Sequence, residues 1–261
     1  LHAANVTTKS AIEVRDRDII LKGVKRRSPT IRKRRAGTRD AFPFSDAMIV
    51  VRRAGSRRHV CFAGLEAITV NTVPPGRAFD PNARGDCEIL TYVLEGALAH
   101  EDRAGNGAVI HPGEFERLSP RCGARPCEMR NASDRSRAHV LQASLRTTTH
   151  TIVASSEQKR FCTGERRGLL RLIASPNARE GSLRLHRDAR VYSALLEPGL
   201  HVVHPLEANR CAWVHVVSGE AALSEIHLRA GDGAGLRGEP AVSLTAKTRA
   251  EVLIFDLPEP V

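Results

Sequence analysis

The chain has 261 residues, 41% of them hydrophobic and 4% aromatic, with a formal net charge of +11. That composition supplies a substantial apolar core without disulfide staples, and the low aromatic content speaks against a surface that stacks nucleic-acid bases. The sequence has no run of 18 apolar residues, no signal-peptide core and no CxxC pair among its six cysteines, so the expectation is a cytoplasmic protein with reduced thiols and no membrane span.

The charge is concentrated. Residues 22–39 hold nine Lys and Arg and no acid, and removing those nine from +11 leaves the rest of the chain near neutral. Residues 1–40 therefore read as a basic amino-terminal arm with at most one or two short strands. From there the pattern is of short strands between turns. Strands are predicted over 47–51, 60–62, 65–73, 89–94, 108–110 and 139–145, separated by Pro-Pro-Gly, Glu-Gly, Gly-Asn-Gly and Pro-Gly punctuation. Residues 41–148 make one such unit. Residues 149–168, rich in Thr, Ser, Arg and Gly, read as a linker. A second strand series follows within 169–261, at 169–174, 182–185, 191–196, 212–217, 221–223, 242–245 and 251–256. Gly231-Asp-Gly-Ala-Gly235 lies between strands with no helix after it, which predicts a turn rather than a phosphate loop.

The two series echo each other. Pro74-Pro75-Gly76 matches Glu197-Pro198-Gly199, Tyr92–Gly96 matches Val216–Glu220, and His111–Glu114 matches Arg229–Asp232. A repeat of this length indicates two similar β-barrels in tandem, and the order of its turns resembles that of cupin jelly-roll barrels, which implies an all-β bicupin.

Read with the strings Asp86-Cys-Glu-Ile-Leu-Thr-Tyr-Val-Leu-Glu-Gly96, Pro112-Gly-Glu-Phe115 and Glu251-Val-Leu-Ile-Phe-Asp-Leu-Pro258, the sequence resembles the pirin family of bicupins, including its quercetinase-like members. The resemblance implies a metal in the first barrel, held by an H-x-H before the first of these strings and an H-S-E after it. Residues two apart on a strand share a face, so such pairs aim at one point. Carried over to this chain, those positions are Asn82 and Arg84, then Pro126 and Glu128. Asn is a poor transition-metal ligand, Arg has no lone pair to offer and carries a fixed positive charge, and Pro offers no side-chain donor. The expectation is a degenerate site with no cofactor, against the alternative of Fe or another divalent metal as in the family. Glu128, facing the barrel interior, would either pair with Arg84 or keep a leftover pocket while Arg84 turns to solvent. His100 and His111 are expected in structural or surface roles. His201 and His204, three apart on one strand, point to opposite faces and with His215 make an improbable second metal site.

The basic residues Arg32, Lys33, Arg34 and Arg35, with Arg52, Arg53, Arg57 and Arg58 around a hairpin tip at Gly55, are candidates for one patch contacting nucleic acid or an acidic partner. The function these features imply is a pirin-like, metal-free binding or regulatory protein for a protein partner or a small anionic or aromatic ligand. The alternative is a quercetin 2,3-dioxygenase-type oxidoreductase.

Overall fold

The computed structural model describes residues 12–15, 18–22, 48–52, 60–79, 87–101, 107–119, 128–147 and 154–259, the first three segments as backbone alone. Strands β1 (Ile12–Arg15), β2 (Asp18–Lys22) and β3 (Met48–Arg52) come first. The first barrel is built from β4 (Leu65–Val73), β5 (Ala78–Phe79), β6 (Cys87–Glu95), β7 (Leu98–Glu101), β8 (Gly107–Ile110), β9 (Glu114–Ser119), β10 (Glu128–Asn131), β11 (Ala138–Arg146) and β12 (Ser155–Arg160). Its two sheets have the orders β12-β9-β6-β11-β4 and β5-β10-β7-β8. After the short helix α1 (Thr163–Arg166), the second barrel follows with β13 (Arg171–Ser175), β14 (Leu183–Arg184), β15 (Arg190–Leu196), β16 (His201–Pro205), β17 (Arg210–Ser218), β18 (Glu220–Leu223), β19 (Ile226–Arg229), β20 (Gly233–Arg237), β21 (Ala241–Ala246) and β22 (Ala250–Pro258). Its sheets are β16-β21-β18-β19 and a nine-stranded sheet, β1-β2-β3-β20-β17-β22-β15-β13-β14. Among the described residues the arm supplies β1 and β2. They are recruited to the second barrel through β3, which pairs with β20 from Met48↔Arg237 to Arg52↔Gly233.

Alternation along β6 decides where everything goes. Ile89, Thr91 and Val93 face the interior of the first barrel, while Glu88, Leu90 and Tyr92 face the second barrel. Both faces are buried, which is why this strand reads as a nearly unbroken apolar run. The interface it helps form includes Phe115, Phe161, Trp213 and Phe255 from the two halves. Polar ties cross it as well. Glu88, fully buried, accepts from the backbone N–H of His186 at 2.8 Å and lies 2.8 Å from its Nδ1. Arg187 donates to the carbonyls of Ala63, Gly64 and Arg146 at 2.7–3.0 Å.

Three sequence expectations change. Residues 155–160, read as linker, form β12 and extend the first barrel beside β9. Of residues 231–235, read as a turn, the last three belong to β20. Gly233 and Gly235 leave room there for the rings of Trp213 and Phe62, whose atoms lie 2.4 and 2.5 Å from where a Cβ would stand. The internal repeat also shifts by one residue. Gly96 and Gly219, both with positive φ (+78° and +73°), are the equivalent turn glycines, so Tyr92 corresponds to His215 rather than Val216. At Gly219 a Cβ would sit 2.1 Å from the Arg249 carbonyl oxygen. Gly219→Ala is expected to cost roughly 2 kcal/mol in chemical denaturation, from the left-handed backbone and the displaced carbonyl. An unchanged midpoint would count against this account of the turn.

Candidate functional site

The interior of the first barrel is apolar at one level and polar at the next. Val73, Ile89, Val93, Leu98, Ile110 and Leu118 pack together there. Beside them one register row crosses three strands of the larger sheet. Gln142 on β11 lies opposite Thr91 on β6, and Thr91 opposite Glu116 on β9, so the three side chains share the interior face. On the facing sheet Met129 of β10 lies opposite His100 of β7. Two contacts close the rows into a ring. His100 Nδ1 sits 2.8 Å from Glu116 Oε1, and Gln142 Nε2 donates to Met129 Sδ at 3.5 Å and to Thr91 Oγ1 at 3.2 Å.

All five side chains are buried, none more than 3% exposed. Two oxygens in the ring have no hydrogen-bond partner, Glu116 Oε2 and Gln142 Oε1. The amide orientation follows from its neighbours, because turning it over would set the amide oxygen against the lone pairs of the Met129 sulfur. A buried carboxylate oxygen and a buried amide oxygen, both acceptors, are therefore left for a donor or a cation. Period-two spacing in 114–119 could have pointed to Glu116. The strands predicted from sequence leave this charged Glu-Phe-Glu-Arg stretch out.

The residues carried over from the family motif fare differently. Asn82, Arg84 and Pro126 lie outside the described residues, as do Arg32, Lys33, Arg34, Arg35, Arg53, Arg57 and Arg58 of the basic patch. Arg52 ends β3. Glu128 is described, and it is exposed. β10 alternates exposed and buried, so its buried residues are Met129 and Asn131, and the expectation of a Glu128 carboxylate facing the interior is corrected by one register step.

The other histidines do not converge. His111 is exposed. His201 is exposed beside Thr245, whereas His204 on the same strand is buried against Asp256, as three-residue spacing requires. His215 is buried elsewhere on β17, and burial pushes its pKa down to about 4. Among the described residues no three His, Cys, Asp or Glu side chains form a metal-holding group. Cys61, Cys162 and Cys211 are free thiols. No helix of the described residues is long and apolar enough to cross a membrane.

Two jelly-roll barrels in tandem, the first with a polar ring in its core, define a bicupin. Residues 24–144 match the family model described as Pirin, and residues 172–257 match the quercetinase C-terminal cupin domain. A relative from Escherichia coli named quercetin 2,3-dioxygenase is 35% identical over 197 residues, covering 76% of this chain and 84% of the relative. A pirin-like protein of Caulobacter vibrioides is 29% identical over 185 residues, 70% of this chain and 79% of that one. Among solved structures, YhhW from Escherichia coli superposes with a TM-score of 0.67 at 29% identity, over 82% of this chain and 92% of that one. The bacterial pirin YhhW in complex with nickel(II) gives 0.62 at 27% identity, over 96% of each chain. The chain belongs to the pirin family.

That membership corrects one expectation. The absence of a cofactor, inferred from Asn82, Arg84 and Pro126, is overturned by relatives named for a dioxygenase and by a pirin of this fold solved with nickel(II). Asn82, Arg84 and Pro126 themselves carry no imidazole. The ring does offer a carboxylate oxygen and an amide oxygen without hydrogen-bond partners, acceptors of the chemical kind that a cation takes.

Proposed function

We propose that the first barrel is the working site of a quercetinase-like oxidoreductase, taking a divalent cation and a hydroxylated aromatic of the quercetin kind. The observation that carries this reading is the buried ring, with Glu116 Oε2 and Gln142 Oε1 left without partners; the relatives' names supply the substrate class. Glu116 and Gln142 would hold the cation, which when bound supplies Lewis acidity toward a pair of chelating substrate oxygens. The protein's own part is positional. His100 fixes one Glu116 oxygen at 2.8 Å, so the other keeps a set direction. Thr91 and Met129 hold the Gln142 amide by its nitrogen, which orients the carbonyl. Ile89, Val93 and Leu118 exclude bulk water from the same space and raise the worth of each polar contact.

A second reading is supported by Asn82, Arg84 and Pro126 at the motif positions and by the relative named pirin-like protein: a binding or regulatory role for a small aromatic or anionic ligand or a protein partner. One experiment separates the two. Protein loaded in turn with Mn²⁺, Fe²⁺ and Ni²⁺ is mixed with quercetin, and loss of the flavonol band is followed with oxygen uptake. Turnover that falls at least about tenfold in Glu116→Ala supports the oxidoreductase. Saturable quercetin binding without oxygen uptake under every metal supports the binding reading and overturns the first.

A further inference from the structure

The larger sheet of the first barrel ends at β4, and among the described residues this edge stands apart. β4 runs nine residues, whereas no other edge strand is longer than the six residues of β12. From Ala67 to Val73 it carries no charge, no Pro and no Gly, and Ile68, Thr69, Val70, Thr72 and Val73 are β-branched. Exposed edges are ordinarily blunted by charge, Pro or brevity. β12, at the far side of the same sheet, has Glu157, Lys159 and Arg160 for this. The second barrel covers the equivalent strand instead. β15 pairs with β22 as β4 pairs with β11, and its outer side is taken by β13. β13 lies in residues 161–189, between β12 and β15; the corresponding segment between β3 and β4 is only residues 53–64. Of these, Val60, Cys61 and Phe62 reach only Leu65 and Glu66.

The direction of the backbone groups follows from one hydrogen bond. The Glu66 carbonyl accepts from the Val60 and Cys61 N–H groups on the outer side. The C=O and N–H of a trans peptide point opposite ways, so the Ala67 N–H turns inward to β11. By alternation the N–H and C=O of Ile68, Val70 and Thr72 turn outward, and among the described residues no backbone group meets them. Glu66 closes this row at one end, and Pro74, which has no N–H, closes it at the other.

We infer that this edge is the interface for a second copy of the chain, paired antiparallel about a twofold axis through Val70. In that register Val70 lies opposite the partner's Val70, and Ile68 opposite the partner's Thr72. Every outward donor of one copy then meets an outward acceptor of the other, which is the self-complementarity that a twofold contact requires. Val70, on the axis, is 54% exposed and gains an apolar neighbour there. Charge permits the contact. The net charge of +11 opposes association of two copies, but this edge holds none of it: Glu66 is the only charged residue from 65 to 76, and Arg146 neutralises it at 3.0 Å. One strand pair buries less than the roughly 1,200–2,000 Å² of a stable complex, so the dimer is weak and forms as concentration rises.

Sedimentation equilibrium of the whole chain between about 1 and 500 μM is expected to move from the 28.5 kDa monomer toward twice that mass. Added salt screens the net charge and favours the dimer. Val70→Lys sets two like charges opposite each other on the axis and weakens association by at least about tenfold. Val203→Lys, the same change at an equally exposed valine of the second barrel, leaves association unchanged. Amide hydrogen exchange of the native chain, read residue by residue, needs no variant. The Ile68, Val70 and Thr72 amides slow as concentration rises, while those of Ala67, Thr69 and Asn71, turned toward β11, do not respond. A monomer at every concentration overturns the inference; slow exchange at Ile68, Val70 and Thr72 in that monomer would mean that the chain covers its own edge. A dimer that Val70→Lys does not weaken, or that lacks the alternating exchange pattern, pairs through another surface and overturns it as well.

Discussion

Asp256→Ala lowers the stability of the chain by about 3–5 kcal/mol, the range for removing one partner of a buried ion pair. Asp256 on β22 is 1% exposed and Arg210 on β17 is 7% exposed. The Arg210 Nε–H donates to Asp256 Oδ1 and its Nη2 to the Asp256 carbonyl at 3.0 Å, while His204 Nε2 lies 3.0 Å from Oδ2. Three strands, β16, β17 and β22, are therefore held by one carboxylate. Its loss leaves a buried guanidinium with, among the described residues, the exposed Asp188 carboxylate at 2.9 Å to balance it. Thermal unfolding should fall by about 10 °C for a chain of this size.

The pH dependence is a finer check on the same group. Burial pushes the Asp256 carboxyl up, but the hydrogen bonds of His204 and Arg210 and the Arg210 charge outweigh it and hold the group below the usual carboxylate value. A depressed carboxyl contributes stability that is fully present above its unfolded value of about 3.9 and is lost as pH falls through the lower folded value. The stability gap between the native chain and Asp256→Asn should be widest near neutral pH and close in acid. A gap that stays constant down to pH ~2 would show that the carboxylate's charge is not the source of the effect.

The strand framework was largely legible because its signals are local. β4 was read with its observed limits and β6, β11, β15, β17 and β22 within one or two residues at each end, since β-branched runs bounded by turn glycines carry their own boundaries. What failed was where a strand is charged or glycine-rich for a reason that sits elsewhere in the fold. β9 contains Glu116 and Arg117, both buried, because one meets His100 across the barrel and the other meets Ser119 and Ser155 at its edge. β20 contains Gly233 and Gly235 because the Trp213 ring of β17 and the Phe62 ring from the segment before β4 lie on it. No window of sequence contains those partners. The candidate site was missed for the same reason. Thr91, Glu116 and Gln142 are scattered over three strands, and only their register brings them into one row. The family motif directed attention to Glu128, whereas the pleat turns Met129 inward. Composition explains none of these placements; register explains them all.

Arg166→Met is expected to cost about 3 kcal/mol and to loosen the two barrels from each other. Arg166, on α1 between them, is 4% exposed. Its Nη1 donates to Glu251 Oε1 at 2.7 Å, to Tyr92 Oη at 3.0 Å and to Ser193 Oγ at 3.2 Å. Tyr92 in turn donates to Glu251 Oε1 at 2.6 Å. One guanidinium thus joins β6 of the first barrel to β15 and β22 of the second, and its face covers the Tyr92 and Phe115 rings at 5.4 and 5.9 Å. Burial, then the Glu251 charge, raise the pKa of the Tyr92 phenol well above its ordinary value, so Tyr92 remains a donor throughout the working pH range. Without Arg166, Glu251 keeps one neutral donor and its buried charge loses the only cation in contact with it in this cluster. Glu251 is 12% exposed, and water can reach it in part, which sets the estimate at the low end of the range for a broken buried pair. The double variant Arg166→Met with Glu251→Gln should recover part of the loss, because removing both charges removes the penalty of leaving one unpaired. A double-mutant cycle is expected to give a coupling of at least about 1 kcal/mol. Strict additivity would mean that Arg166 acts through its packing on the two rings, and that the barrels are joined by their apolar interface alone.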